Sequence, residues 1–107
     1  MNAFEIFIAY ISWEGGGKSR PVLVLKFSDE RIFVYPITTQ YKNKSAVIKA
    51  RYFKIVDWLQ AGLDRQSYID TGTLLNFPVS VADNKRPIGK LTLVDKKRLL
   101  DFLQREE

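Results

Sequence analysis

The chain contains no cysteine and no histidine. Without thiols there is no disulfide framework and no thiolate nucleophile; without either residue there is no zinc site built on sulfur or imidazole. Catalytic triads that need an imidazole base are excluded, as is nuclease chemistry run by paired histidines. Any catalysis must use arginine, lysine, aspartate, glutamate, tyrosine, serine, threonine and backbone groups. A hard metal on carboxylates stays open, but Asp64, Asp70 and Asp83 have no recognisable ligand spacing and read as turn residues and ion-pair partners. No metal or cofactor is expected. No apolar run reaches the roughly 18 residues of a membrane-spanning helix. The apolar stretch at residues 4–13 carries Glu5 and lacks a basic lead-in, so it does not read as a signal peptide, and the expected location is the cytoplasm.

What remains is an ordinary globular composition on 107 residues: 46% hydrophobic and 27% charged. That length suits one domain with one real core, residues 1–107. The charge is uneven. Seventeen basic residues face twelve acidic ones, a net charge of +5. Residues 41–54 alone hold Lys42, Lys44, Lys49, Arg51 and Lys54 with no acid. A block this basic suits a polyanion, nucleic acid first.

Periodicity gives many short strands and one terminal helix. Residues 4–11 and 21–27 are rich in Ile, Val, Leu and aromatics and read as buried strands, with Pro21 where a missing N–H is tolerated. Ser28-Asp29-Glu30 makes a tight turn, and residues 31–37 return as the other arm of a hairpin. Residues 45–52 alternate and read as a strand. Residues 53–60 read as a short helix capped by Gly62. Residues 67–70 and 73–76 read as short strands. From Lys90 the period changes: Leu93, Leu99, Leu100, Phe102 and Leu103 mark a helix, opened by the capping pattern Thr92-Leu-Val-Asp95. The expected class is mainly β, a small SH3-like barrel with a C-terminal helix.

Several features could carry chemistry. Gly17-Lys18-Ser19 invites a phosphate-loop interpretation, but Ser12 stands where that motif needs its first glycine and a strand follows instead of a helix. Residues 14–18 read as a mobile loop that could close over a ligand, with Trp13 beside it as the aromatic to watch for base stacking. Arg20 stands between this loop and a buried strand, and its guanidinium pairs bidentately with phosphate. Thr38, Thr39 and Gln40 supply two hydroxyls and an amide where a strand leaves the core. The hairpin brings the start of one strand beside the end of the other, so Arg20 and Thr38 should be neighbours.

These residues resemble a known family. Lys18-Ser19-Arg20-Pro21-Val22-Leu23-Val24-Leu25 is similar to the first signature of MazF/PemK-type toxins of type II toxin–antitoxin systems. Pro36-Ile37-Thr38-Thr39-Gln40 resembles the second. Gly62-Leu63 with Ser67-Tyr68-Ile69-Asp70, and Ile88-Gly89-Lys90-Leu91-Thr92, resemble later segments in the same order. The resemblance implies a CcdB/MazF-type barrel that forms a homodimer. It also implies a metal-independent endoribonuclease cutting single-stranded RNA to 2′,3′-cyclic phosphate and 5′-hydroxyl ends. Arg20 and Thr38 would be catalytic, and Lys18, Ser19, Thr39, Gln40 and Lys42 would bind substrate. An acidic MazE/PemI-like antitoxin would block the groove. Ala3-Phe4 departs from the Gly-Asp pair of many members. Two alternatives use the same fold: a CcdB-like gyrase-binding toxin, and a non-catalytic module that binds nucleic acid or peptide.

Overall fold

The computed structural model describes residues 1–105. Seven strands and two helices follow in the order β1 (Glu5–Trp13), β2 (Gly16–Phe27), β3 (Arg31–Thr38), α1 (Ala46–Lys49), β4 (Tyr52–Lys54), β5 (Tyr68–Asp70), β6 (Leu75–Pro78), β7 (Gly89–Lys90) and α2 (Leu93–Arg105), with a 3-10 turn at Val79–Ala82. The sheet runs β4-β5-β3-β2-β1-β7, with β6 also on β3. Every pairing is antiparallel. The result is the mainly β class expected, curled as a half-barrel, with the C-terminal helix in place.

Strand β3 serves both halves. Its first part, from Arg31 to Val34, pairs with β6; its last two residues, Ile37 and Thr38, pair with β5. Its register with β2 sets Val22 opposite Pro36, Leu23 opposite Tyr35 and Val24 opposite Val34. The register then shifts at Leu25, a one-residue bulge that increases local twist.

Alternation along these strands builds two apolar clusters, one on each face of the sheet. Ile6, Leu23 and Ile37 join Phe53, Ile55, Ile69 and Leu99 on the face covered by α2. Phe7, Ala9, Val22, Val24, Ile32 and Val34 form the other, under Phe77, Val79 and Ala82. Arg20 precedes Val22 by two residues and Thr38 follows Pro36 by two. Both therefore face the second cluster's side, at its margin.

Three local expectations change. Residues 14–18 are not a mobile loop: Trp13 pairs with Gly16, leaving a two-residue turn at Glu14-Gly15 with Gly15 at φ +88°. A Cβ on Gly16 would lie 3.5 Å from the Trp13 indole nitrogen, and one on Gly17 would strike the Tyr10 ring. Gly17 thus makes room for the Tyr10 ring, while Gly16 could carry a Cβ in ordinary contact with Trp13. Residues 45–52 do not form one strand. Ser45 accepts from the Ile48 amide at 3.3 Å and caps α1, and Val47 and Ile48 stay exposed, so the apparent alternation buries nothing there. Residues 53–60 begin inside β4 and continue as turns closed by the Ala61 amide on the Asp57 carbonyl at 3.0 Å, not as a helix.

The anticipated cap on α2 forms, with a different partner for its acid. The Asp95 amide donates to Thr92 Oγ1 at 3.3 Å. The Asp95 carboxylate is fully buried and accepts from the Val56 and Asp57 amides at 3.2 and 2.7 Å and from Arg98 at 2.6 Å. It ties the helix to the turn after β4. Asp95→Ala strands two backbone donors, and buried unmet donors cost about 1–3 kcal/mol each. Urea denaturation should show a loss of about 2–3 kcal/mol, with Asp95→Asn losing less; an unchanged midpoint would remove this tie from the account.

Candidate active site

The site grows out of the margin where the second cluster ends. Carrying the β2–β3 register two residues past Val22 and Pro36 sets Arg20 across from Thr38. On its other side Thr38 pairs with Tyr68, which pairs with Lys54; Tyr52 pairs with Asp70 next along. Side chains opposite one another share a face. Arg20, Thr38, Tyr68, Lys54 and Tyr52 therefore share one face of the sheet, with Tyr68 at the edge of one groove and Tyr52 and Lys54 beside α2 in another.

Arg20 is half-buried, and its Nε is the one buried side-chain polar atom among the described residues without a hydrogen-bond partner. The ion pairs among those residues are Asp64–Arg65 and Asp95–Arg98, so no carboxylate neutralises Arg20. Buried donors are almost always satisfied. A cation left with an open donor at a groove is set up for an anion that is not part of the protein.

Thr38 completes the pair. The Gln40 amide donates to Thr38 Oγ1 at 3.1 Å, a local turn that fixes the hydroxyl. The oxygen is thus used as an acceptor, and its own O–H stays available to donate into the groove.

The structure separates the other anticipated residues. Lys18 shares the face of Arg20, two residues toward the hairpin tip, and is exposed. Ser19 points to the opposite face, where it lines a hollow with Ile8, Tyr10, Lys85 and Arg86. Thr39, Gln40 and Lys42 line a groove of about 530 Å³ together with Tyr41, Asn43, Gln66 and Tyr68. Trp13 stands away from it, over Gly16.

The aromatic wall was not singled out from sequence. Tyr41 stacks on Tyr68 with ring centroids 4.3 Å apart and planes 10° from parallel. Tyr52 tilts against Tyr41 at 6.3 Å, and the Lys49 ammonium stands 5.0 Å from the Tyr41 centroid. The available signal was a tyrosine opening each short strand, β4 and β5, beside a basic block. The anticipated turn role of Asp70 holds: its carboxylate accepts from the Gly72 amide at 3.0 Å and the Thr73 hydroxyl at 2.8 Å. Among the described residues no group of three or more acidic side chains is placed to hold a metal.

This fold has a solved counterpart. The structure of the Mycobacterium tuberculosis toxin MazF-mt6 superposes with a TM-score of 0.67 at 22% identity, over 94% of this chain and 93% of that one. The chain has the MazF fold. No family model matches the sequence, and none of the curated proteins does. Within this fold, Arg20 lies on β2 and Thr38 at the end of β3, where β3 passes on to pair with β5.

Tyr52 reports on this geometry. Burial, then the Asp70 carboxylate, raise its phenol above 10.0, while the Arg20 guanidinium lowers it. The cation of β2 is thus felt on β4, which the curl of the sheet brings back toward it. Because the folded phenol titrates above its unfolded value, its contribution to stability is complete below pH 10 and is lost as pH rises through the folded value. Ultraviolet titration of tyrosinate should show a late-ionising residue that disappears in Tyr52→Phe. In Arg20→Ala that titration should move further up; a downward move would place Arg20 elsewhere.

Proposed function

We propose that this protein is a metal-independent endoribonuclease, the toxin of a type II toxin–antitoxin pair, cutting single-stranded RNA by transphosphorylation. The observation that carries the reading is the partnerless Arg20 donor, half-buried on the sheet face that Thr38 shares, with a tyrosine-lined groove next along that face. The MazF fold and the motif resemblance support it.

The reaction suits a chain without histidine or cysteine because the nucleophile belongs to the substrate. The ribose 2′-oxygen attacks the adjacent phosphorus and the bond from phosphorus to the 5′-oxygen breaks. The 2′-hydroxyl loses its proton and the departing oxygen gains one. The products are a 2′,3′-cyclic phosphate and a 5′-hydroxyl end. The protein must align the attacking oxygen with the leaving one and stabilise charge growing on the phosphoryl oxygens. Arg20 supplies the cation and Thr38 a hydrogen bond to the same oxygens. A guanidinium is a poor base, so its role is electrostatic. Lys18 and Lys42 hold flanking phosphates, and Thr39 and Gln40 line the path of the chain. Ser19, on the far face, would meet RNA only where the strand passes round the hairpin.

The same groove explains the partners proposed. A net charge of +5 and the acid-free block at 41–54 fit an acidic, extended antitoxin segment that occupies the RNA path. The exposed Ile8, Tyr10 and Trp13 along β1 fit a second copy of the chain. Among the described residues no helix is long and apolar enough to cross a membrane; the proposed site of action is the cytoplasm.

Purified protein should cut single-stranded RNA in EDTA. By analogy with oxyanion donors, Arg20→Ala and Thr38→Ala should each lower the rate about 10²–10³-fold with folding intact. Mass spectrometry should find cyclic phosphate ends. RNA left whole by the antitoxin-free wild type, or gyrase–DNA adducts in its place, would overturn the proposal.

A further inference from the structure

We propose that the groove lined by Tyr41, Gln66 and Tyr68 is a nucleobase subsite that selects adenine or cytosine, the bases with an amine at purine C6 or pyrimidine C4, and that Gln66 determines this specificity. The inference rests on the RNA-cleaving function above and names what that site reads.

The argument starts from the Gln66 amide. Its Nε2 donates to the Ile55 carbonyl at 2.8 Å and to the Ser67 carbonyl at 3.1 Å. Both partners are backbone oxygens, which fixes the amide's orientation: the reverse would set oxygen against oxygen twice. Both amide protons are therefore committed. What Gln66 has left is Oε1, which can only accept. Gln66 lines the groove, and Oε1 is neither hydrogen-bonded nor buried without a partner among the described residues. A fixed, accept-only atom is thus open to whatever enters.

The rest of the groove suits a base. The stacked Tyr41 and Tyr68 rings make an aromatic wall, the kind of surface on which bases pack with little regard to sequence. Gln40 and Asn43 are exposed and carry no side-chain hydrogen bond, so their amides can turn either way. They adapt; Gln66 does not. Adenine and cytosine present an amine at the position where hypoxanthine and uracil present a carbonyl oxygen. The amine donates to Oε1. The carbonyl meets it lone pair to lone pair, and a buried polar mismatch discriminates more sharply than a change in size.

Fluorescence anisotropy with wild-type protein and 2′-fluoro pentanucleotides tests this without cleavage, because the 2′-fluoro sugar lacks the nucleophile. Homopentamers remove any question of position. Adenine should bind about tenfold tighter than hypoxanthine, and cytosine about tenfold tighter than uracil. Gln66→Met should bring both ratios to within about twofold while circular dichroism shows the fold retained. Should that variant not fold, a purine-riboside pentamer on the wild type decides: without the amine it should bind between adenine and hypoxanthine. Equal wild-type affinities within each pair, purine binding as tightly as adenine, or ratios that survive in folded Gln66→Met would each overturn the subsite. Parallel cleavage of 2′-hydroxyl RNA in EDTA separates the two proposals. Cutting without base preference removes the subsite and leaves the nuclease. Base preference without cutting removes the nuclease and leaves the subsite.

Discussion

The register of β2 on β3 holds the site together, and it is tightly constrained. Val22, Leu23 and Val24 are all buried, successive ones in opposite clusters. A slip of one residue would send each to the wrong face and would carry Arg20 and Thr38 to opposite sides of the sheet. The hydrophobic effect of two clusters therefore fixes a polar geometry two residues beyond them. The placement of Arg20 and Thr38 is a by-product of core packing, with the bulge at Leu25 confining the added twist to the other end of the ladder.

The remaining wall of the groove comes from segments with little regular structure. Strands β4 and β5 have three residues each and could not stand alone. They are held by Phe53, Ile55 and Ile69 in the cluster beneath α2, and α2 is tied to the turn after β4 by buried Asp95. Gly62 and Gly89 let that turn approach β7 closely; a Cβ on either would strike the other segment's backbone. The stability of α2 thus bears on the tyrosine wall, although no residue of α2 lines the groove of Tyr41 and Tyr68.

Sequence made the frame legible because its signals were strong and local. Continuous apolar runs marked β1 to β3, a tight turn marked the hairpin, and Thr92 with Asp95 marked the start of α2. The hairpin argument placed Arg20 and Thr38 together; the ladder itself ends at Val22 opposite Pro36, two residues short of them. The middle of the chain was harder. Alternation at residues 45–52 looked like a buried strand, yet the Ser45 cap and an absent core gave one helical turn there. Gly15 to Gly17 looked like mobility and proved to be a tight turn at Gly15, with space for Tyr10 at Gly17. Tyr41, Tyr52 and the Gln66–Tyr68 stretch come from three separate segments. Their convergence depends on sheet curl and on hydrogen bonds to carbonyls, which no short motif encodes.

The central claim is that Arg20 keeps an open donor for a phosphate that Thr38 also touches. A crystal structure with a short non-cleavable RNA analogue tests it most directly. The account predicts one phosphate within hydrogen-bond distance of both the Arg20 guanidinium and the Thr38 hydroxyl, with a base against Tyr41 and Tyr68. RNA lying instead along the opposite face, with its phosphates on Lys85 and Arg86 beside Ser19 and Arg20 untouched, would contradict it.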